Sequence, residues 1–408
     1  MKRSLIKLGM FCLLAAVFFP TGVSIAAAIN GDKGKAVDVP QEAAGAADPH
    51  ILGCILPLTG RFASYGSRAL DMIIFAAGLF DPEKKSPVKL MIEDSQSRPE
   101  MAAAVVAKLA RDGAIAVIGP LGSEESQAAA EEAQKWKISL LTLTQKEGIA
   151  DAGRYVFRNF LTGAMQVKTL VKYAIEDLHL SRFAVLHPED GYAQEMVKLF
   201  CKEVGRRQGK VVWVQSYRND QTNFSEEIEK LISMTEIVQG GVAFPGQPTP
   251  RSFNFDALFI ADSSAAVKMI VPQLVFQDVR GIRLLGMSGW NSRSLLSPED
   301  GAITEAIFTD GFFAESFSLE AIDFVDNFYA AYGREPDAME AEVFDAAGIA
   351  VKIIKENAGR TREKFRDRLL GIKGYAGATG RISFTAAGDA EKEAFVLTVK
   401  YGRIIQIK

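Results

Sequence analysis

The sequence predicts an α/β fold made of two doubly wound, Rossmann-like lobes, each a parallel sheet covered by helices on both faces. Three observations carry this expectation. First, two stretches form a matched pair of strand, small-residue turn and helix. They are Ile51-Leu-Gly-Cys-Ile-Leu-Pro-Leu-Thr-Gly60 followed by Tyr65-Gly66, and Ala114-Ile-Ala-Val-Ile-Gly-Pro-Leu-Gly-Ser123 followed by a polar-started helix. Second, short apolar runs alternate with helical-period segments from residue 50 onward, the rhythm of a parallel sheet. Third, that rhythm restarts after residue 160, giving two halves of lobe size. Small ligands sit at the carboxyl ends of strands in such sheets, so the pair points to a binding cleft rather than to a catalytic centre.

In chain order, residues 88–93 read as a strand. Residues 99–111 read as a helix with Pro99 in its first turn and Val105, Val106 and Leu109 as its buried stripe. Strands follow at 114–118 and 138–142, separated by a helix over 123–136. In the second half, Val167, Leu170, Val171, Ala174, Ile175 and Leu178 lie at helical spacing. Strands at 182–187, 210–217, 255–260 and 282–287 alternate with helices at 192–206, 224–234 and 265–277. Residues 238–254, bearing Gly and Pro, read as a surface insertion. The tail holds helices over 321–332 and 339–356, then strands at 382–384, 393–399 and 403–407, with Gly402 turning the terminal hairpin.

The 408 residues have room for two or three units of ordinary domain size. A net charge of −3 without a clustered basic tract argues against a nucleic-acid partner. Lys2, Arg3 and Lys7 precede an apolar run over 8–19 and then Ala26-Ala27-Ala28, the pattern of a cleavable export signal over residues 1–28. A membrane anchor is the other reading, although the run is short for a bilayer. Loss of the three cations takes the net charge to about −6. Residues 29–49 read as a flexible tether. Cys12 leaves with the signal. Cys54 on the first strand and Cys201 on a later helix read as small buried hydrophobes rather than a pair. Leu52-Gly53-Cys54 resembles the end of a lipoprotein cleavage box, but the segment just upstream is not a basic and apolar signal, so the strand reading stands.

Little in the sequence points to catalysis. His50, His179 and His187 have no Cys, Asp or Glu partner at metal-ligand spacing. There is no Gly-x-Ser-x-Gly elbow, phosphate loop or dinucleotide fingerprint. No catalytic residue, metal or cofactor is therefore expected. For the cleft, Ser123 reads as a helix N-cap with Glu124 and Glu125 in the first turn, and equally as a hydroxyl presented with backbone N–H groups to an anionic ligand group. Tyr65 either stacks on a ligand or packs inside its lobe. Asp190-Gly191-Tyr192 is either a turn or the aromatic wall of a second lobe. Thr142 and Thr144 end the third strand as hydrogen-bonding groups or as ordinary strand-end residues.

These residues, taken in order, resemble the type I periplasmic binding proteins, most nearly the Leu/Ile/Val-type receptors. The matching pieces are Leu56-Pro-Leu-Thr-Gly60 with Tyr65-Gly66, Glu93-Asp94 with Pro99, Ile118-Gly-Pro-Leu-Gly-Ser123 and Val156-Phe-Arg158. Val185-Leu-His187 with Tyr192 follows, then Gly377-Ala-Thr-Gly380 with Phe384 and Gly388-Asp389. The resemblance spans about residues 50–408. It implies two lobes joined by a three-strand hinge that closes on a ligand, with residues 50–160 plus 313–376 in the first lobe and 161–312 plus 377–408 in the second. It also implies a periplasmic location and the membrane permease of an ABC transporter as partner. The family's ligand-binding Ser maps onto Ser123, and its Tyr residues onto Tyr65 and Tyr192. Lys146 stands where the amino-acid receptors use Thr for the ligand carboxylate. Ser288 stands where they use an acid for the ligand ammonium, and Ser263 where they use a second-lobe Tyr. Without that acid a buried ammonium lacks its partner, and Asp262 is the candidate substitute.

Phe255-Asp-Ala-Leu-Phe-Ile-Ala-Asp262, Pro272-Gln-Leu with Phe276, and Leu284-Leu-Gly-Met-Ser-Gly-Trp-Asn291 are similar to the penicillin-binding-protein-activator branch of the same superfamily. That likeness implies a protein–protein module contacting a cell-wall synthase. The expected function is capture of a small polar or anionic, amino-acid-like ligand between two lobes. Ser123, Thr142, Thr144 and the backbone of Leu121 and Gly122 would hold its anionic end, with Lys146 supplying positive charge. Tyr65, Tyr192 and Trp290 would form apolar walls.

Overall fold

The computed structural model describes residues 46–80, 85–237, 251–296 and 301–408. The expected export signal, nearly all of the tether and most of the 238–254 insertion lie outside the described residues. The first half runs β1 (Ile51–Leu56), α1 (Ala63–Ala77), β2 (Lys89–Asp94), α2 (Pro99–Arg111), β3 (Ala116–Ile118), α3 (Ser123–Trp136), β4 (Ser139–Thr142) and β5 (Val156–Arg158). Its five strands form one parallel sheet in the order β2-β1-β3-β4-β5. Because strand side chains alternate, β1 sends Leu52, Cys54 and Leu56 into one core and Ile51 and Ile55 towards another. Cys54 is thus buried on this strand, and Cys201 is half-buried elsewhere; both are unpaired.

The second half runs α4 (Gly163–Lys172), β6 (Arg182–Pro188), α5 (Gly191–Arg206), β7 (Lys210–Tyr217), α6 (Ser225–Thr235), β8 (Ala257–Ile260), α7 (Ser264–Phe276), β9 (Arg283–Gly286) and β10 (Ile307–Asp310). Then come α8 (Leu319–Tyr332), α9 (Ala338–Lys355), α10 (Arg362–Leu370), β11 (Tyr375–Gly377), β12 (Gly380–Phe384), β13 (Ala390–Lys392), β14 (Phe395–Lys400) and β15 (Arg403–Gln406). The second sheet has the order β15-β14-β10-β9-β8-β6-β7, parallel from β7 to β10 and antiparallel through the β14–β15 hairpin. Each large sheet carries a buried apolar cluster on both faces, the double winding that the alternation predicts.

Two features depart from expectation. Strand β10, wholly buried, lies inside the second sheet between β9 and β14, where four apolar and small polar residues gave no readable period. Residues 375–392, of which 377–392 are expected with the second lobe, form a small three-stranded sheet whose Ile382, Phe384 and Ala390 pack in the first lobe's core beside α9. The last crossing between the cores therefore falls at 393–394, because β12 turns its apolar side chains to the first core and only β14 joins the second sheet. Among the described residues, no helix is long and apolar enough to cross a membrane.

Candidate functional site

The carboxyl ends of β1, β3 and β4 are built from small residues under tight steric control. Gly66 in the first turn of α1 lies against the Pro57 carbonyl, where a Cβ would collide, so the glycine after Tyr65 lets the helix seat on the β1 turn. Gly119 adopts φ +94° against the Ile55 carbonyl, which glycine alone tolerates without strain. The 57–60 loop is held by Asp94 at the end of β2. Asp94 accepts from the backbone N–H groups of Leu58 (2.9 Å), Thr59 (3.1 Å) and Gln96 (2.8 Å) and from the Thr59 hydroxyl (2.6 Å). Burial opposes its ionisation, but these donors win and hold the carboxyl below its usual range. The Glu93-Asp94 motif thus divides: Asp94 shapes the 57–60 loop after β1, while Glu93 pairs with Lys108 at the surface.

At the N-terminus of α3 the N-cap is Gly122, in extended conformation, and Ser123 is the first helical residue. This corrects the reading of Ser123 as the capping side chain. Its hydroxyl is exposed and lies 3.3 Å from the Thr144 hydroxyl beneath it. Thr144 also accepts from the Lys146 N–H at 3.2 Å. Lys146 is exposed and donates to Gln127 Oε1 at 3.1 Å. Leu121 is half-buried against the first core. Thr142, by contrast, is wholly buried and its hydroxyl has no hydrogen-bond partner, so its side chain is not presented at the surface of this site. Glu125 is buried beside Gly122 and accepts from the Ser95 hydroxyl; desolvation raises its pKa against that bond. Arg158, which the sequence motif contained without a role, is buried. It donates to Asp389 (2.7 Å) and to the Lys146 carbonyl (2.8 Å), tying the β4 loop to the far end of the chain.

The second lobe contributes the ends of β6, β8 and β9. His187 is buried and its Nδ1 lies 2.8 Å from the Pro188 carbonyl, which can only accept, so Nδ1 carries the proton. Asp190 caps α5 by accepting from Ala193 N–H at 2.7 Å, and Tyr192 in the following turn is 60% exposed. Tyr65 in the first lobe is 51% exposed, so both tyrosines are open to solvent rather than packed away. Desolvation, with Asp190 nearby, raises the Tyr192 phenol pKa. Ser263 caps α7, accepting from Ala266 N–H at 3.4 Å. The Ser288 N–H donates to Gln166 Oε1 at 3.1 Å, leaving its side chain half-exposed. Asp262 accepts from the Tyr217 hydroxyl and from the Ser263 N–H, and Glu189 accepts from Ser216 at 3.2 Å. The acids at these ends are therefore already engaged.

Trp290 does not belong to a cleft wall. It is fully buried, its Nε1 donates to the Asp262 carbonyl at 2.9 Å, and its ring packs beside Phe308 and over Gly286. Of the eleven expected positions, Tyr65, Ser123 and Tyr192 lie in the first turn of a helix that follows a strand, and the other eight lie at a strand end or in the short segment after it. Among the described residues, no group of three or more His, Cys, Asp or Glu is placed to hold a metal ion.

Two sheets wound on both faces, each ending in small polar residues at its carboxyl edge, define a two-lobe binding protein of the type I class. The chain belongs to the periplasmic binding protein family, whose sequence profile matches residues 51–403. A putative branched-chain amino acid ABC transporter protein from Rhodospirillum rubrum has the same fold, with TM-score 0.77 and 21% identity over 89% of this chain and all of that one. A solute-binding protein from R. palustris in complex with benzoate has TM-score 0.58 and 18% identity over 88% of this chain and 95% of that one. The penicillin-binding protein activator LpoA of Photobacterium profundum is 25% identical over 226 residues, 53% of this chain. The matched stretch is only 36% of that relative's length.

Proposed function

We propose that the protein is a periplasmic solute-binding protein that captures a small carboxylate-bearing ligand for an ABC transporter and performs no catalysis. The observation that carries this reading is the exposed Ser123 hydroxyl, seated on Thr144 in the first turn of α3 and one loop from the exposed Lys146. The first N–H groups of a helix have no intrahelical partner and favour an anion. Ser123, the Gly122 backbone and Lys146 together suit a carboxylate. Tyr65 and Tyr192 are open to contact its apolar body, and Ser263 and Ser288 are suited to a neutral polar end. Because Glu189, Asp190 and Asp262 are each engaged, none of these three acids at the second lobe's strand ends is left dedicated to an ammonium group. That favours simple carboxylates over α-amino acids.

Calorimetry with benzoate, 4-hydroxybenzoate, short aliphatic carboxylates and leucine tests the proposal. Binding of a carboxylate without an amino group is expected, and Ser123→Ala should weaken it about 10- to 100-fold, the worth of a hydrogen bond to a charged group. Since Ser123 is not the cap, thermal stability should be unchanged. No heat with any of these ligands would sink the reading. The second reading, a docking module of the activator type, is favoured by the LpoA match alone. It expects an indifferent cleft and binding to a cell-wall synthase instead.

A further inference from the structure

Three chain segments cross between the two cores: residues 159–162 after β5, residues 311–318 after β10, and residues 393–394 after β13. The first crossing bonds to one side chain, the foot of the third pairs with it, and the second passes beside it. Glu342, on the buried stripe of α9, accepts from the Leu161 N–H of the first crossing at 3.2 Å through Oε1. Its backbone carbonyl accepts from Asn159 Nδ2, also of the first crossing, at 3.1 Å. Its Oε2 pairs with Lys392 at the foot of the third crossing, and Lys392 also donates to the Thr379 hydroxyl at 2.9 Å. The second crossing passes alongside: a Cβ on Gly311 would stand 3.0 Å from the Leu161 side chain and 3.7 Å from Glu342 Oε1.

We infer that Glu342 is a positioning residue of the hinge, a shared anchor whose carboxylate holds the crossings in one arrangement and thereby sets the angle between the lobes. Physical chemistry makes the anchor stiff. The carboxylate and the Lys392 ammonium are both buried, so each is stable only with its partner and its other hydrogen bonds in place. Leu161 leads directly into α4 of the second lobe, whereas Glu342 and Lys392 belong to the first. A rotation of the lobes must therefore strain or break the Leu161 contact before the ion pair. Space for such a rotation exists, since a groove of about 1100 Å³ runs beside the third crossing between α4 and the strands of residues 375–392. Burial, together with the Glu342 charge, raises the pKa of Asp310 at the second crossing to about 6, as expected if the segments share one poorly solvated pocket.

The inference concerns the ligand-free protein and does not depend on which ligand the cleft takes. The test places spin labels at Glu131→Cys on α3 and Lys198→Cys on α5, both exposed, in a background of the full chain carrying Cys12→Ser and Cys201→Ser, without ligand. Double electron–electron resonance then gives the distribution of distances between the lobes. Glu342→Gln is expected to broaden it or shift its maximum, and Asn159→Ala to do so more weakly. Should Glu342→Gln fail to fold, the charge-balanced double variant Glu342→Gln with Lys392→Met is read instead, with the same expectation. A distribution in the folded variants that superimposes on the parent overturns the inference, whatever their loss of thermal stability. Failure of the ligand proposal would leave this measurement unaffected.

Discussion

Replacing Trp290 with alanine is expected to destabilise the second lobe by about 3–5 kcal/mol, the range for removing a large buried aromatic side chain. The indole is fully buried in the cluster that also holds Phe308, Leu258 and Leu284. Gly286 lies directly over it, where any Cβ would overlap the ring, so the backbone has already closed onto the indole as far as it can. The cavity left by alanine cannot collapse readily, and the cost therefore falls toward the upper part of the range. The Asp262 carbonyl also loses its 2.9 Å donor. Guanidinium unfolding followed by far-ultraviolet dichroism measures the effect, and Trp290→Phe should recover part of it. Tyr192→Ala is the contrasting change. Its side chain is 60% exposed, so stability should move by no more than about 0.5 kcal/mol while carboxylate affinity falls. If Trp290→Ala were neutral for folding but abolished binding, the placement of the indole in the core would be wrong.

That contrast shows where linear reasoning about the site runs out. The strand ends were readable, because the apolar runs in Ala257–Ile260 and Arg283–Gly286 give way within two or three residues to Asp262-Ser263 and to Ser288. Which way a side chain points after the last strand residue was not. Met287-Ser288-Gly289-Trp290 makes a single 3-10 turn, and that turn folds the indole back under the sheet while leaving Ser288 half-exposed. Nothing in residue type distinguishes that outcome from a Trp facing the cleft. Ser123 illustrates the same limit more finely. A one-residue shift in the start of α3 hands the cap to Gly122, and it leaves the serine hydroxyl to Thr144.

The lobe boundary was out of reach of residue patterning for another reason. The resemblance alone places residues 377–408 in the second lobe, since Ile382 and Phe384 alternate as any half-buried strand does and favour neither lobe. Only the contact with α9 assigns them. A signal for the hinge was nevertheless present. Within α9 the apolar stripe is interrupted at Glu342 and Asp345, three residues apart and flanked by Ala341, Val343, Phe344 and Ala346. Acids at that spacing share a helix face. A face otherwise built of small and apolar residues must be buried, and buried acids require partners. The partners, Lys392 and the 378–379 turn, are far away in sequence and could not be named from it.

Asp345→Ala is expected to cost about 3–5 kcal/mol, the range for breaking a buried, hydrogen-bonded charge. The carboxylate is wholly buried and accepts from the Ala378 N–H (2.7 Å), the Thr379 N–H (2.8 Å) and the Thr379 hydroxyl (2.5 Å). Alanine would strand two buried backbone donors, each worth about 1–3 kcal/mol unpaired. It would also remove a negative charge from the surroundings of Lys392, whose remaining acid is Glu342. Asp345→Asn should recover only part of the loss, because an amide offers one accepting oxygen and turns an N–H₂ group towards donors. Desolvation pushes the Asp345 pKa up to about 6, against the opposing pull of Lys392 and the Thr379 and Ala378 donors. The sign of the pH dependence follows. Between the unfolded carboxyl pKa near 4 and the folded value of about 6, the native state binds the proton more tightly than the unfolded chain. This group's contribution to the unfolding free energy therefore decreases as pH rises through that window and levels off above it. Urea unfolding of the parent and of Asp345→Asn at pH 4.5, 5.5 and 7 isolates this contribution. The difference between the two should depend on pH across the window, because the carboxyl at position 345 titrates only in the parent, while groups common to both, such as Asp310, cancel. A pH-independent difference, or an alanine variant as stable as the parent, would mean that the 378–379 turn is held by other contacts.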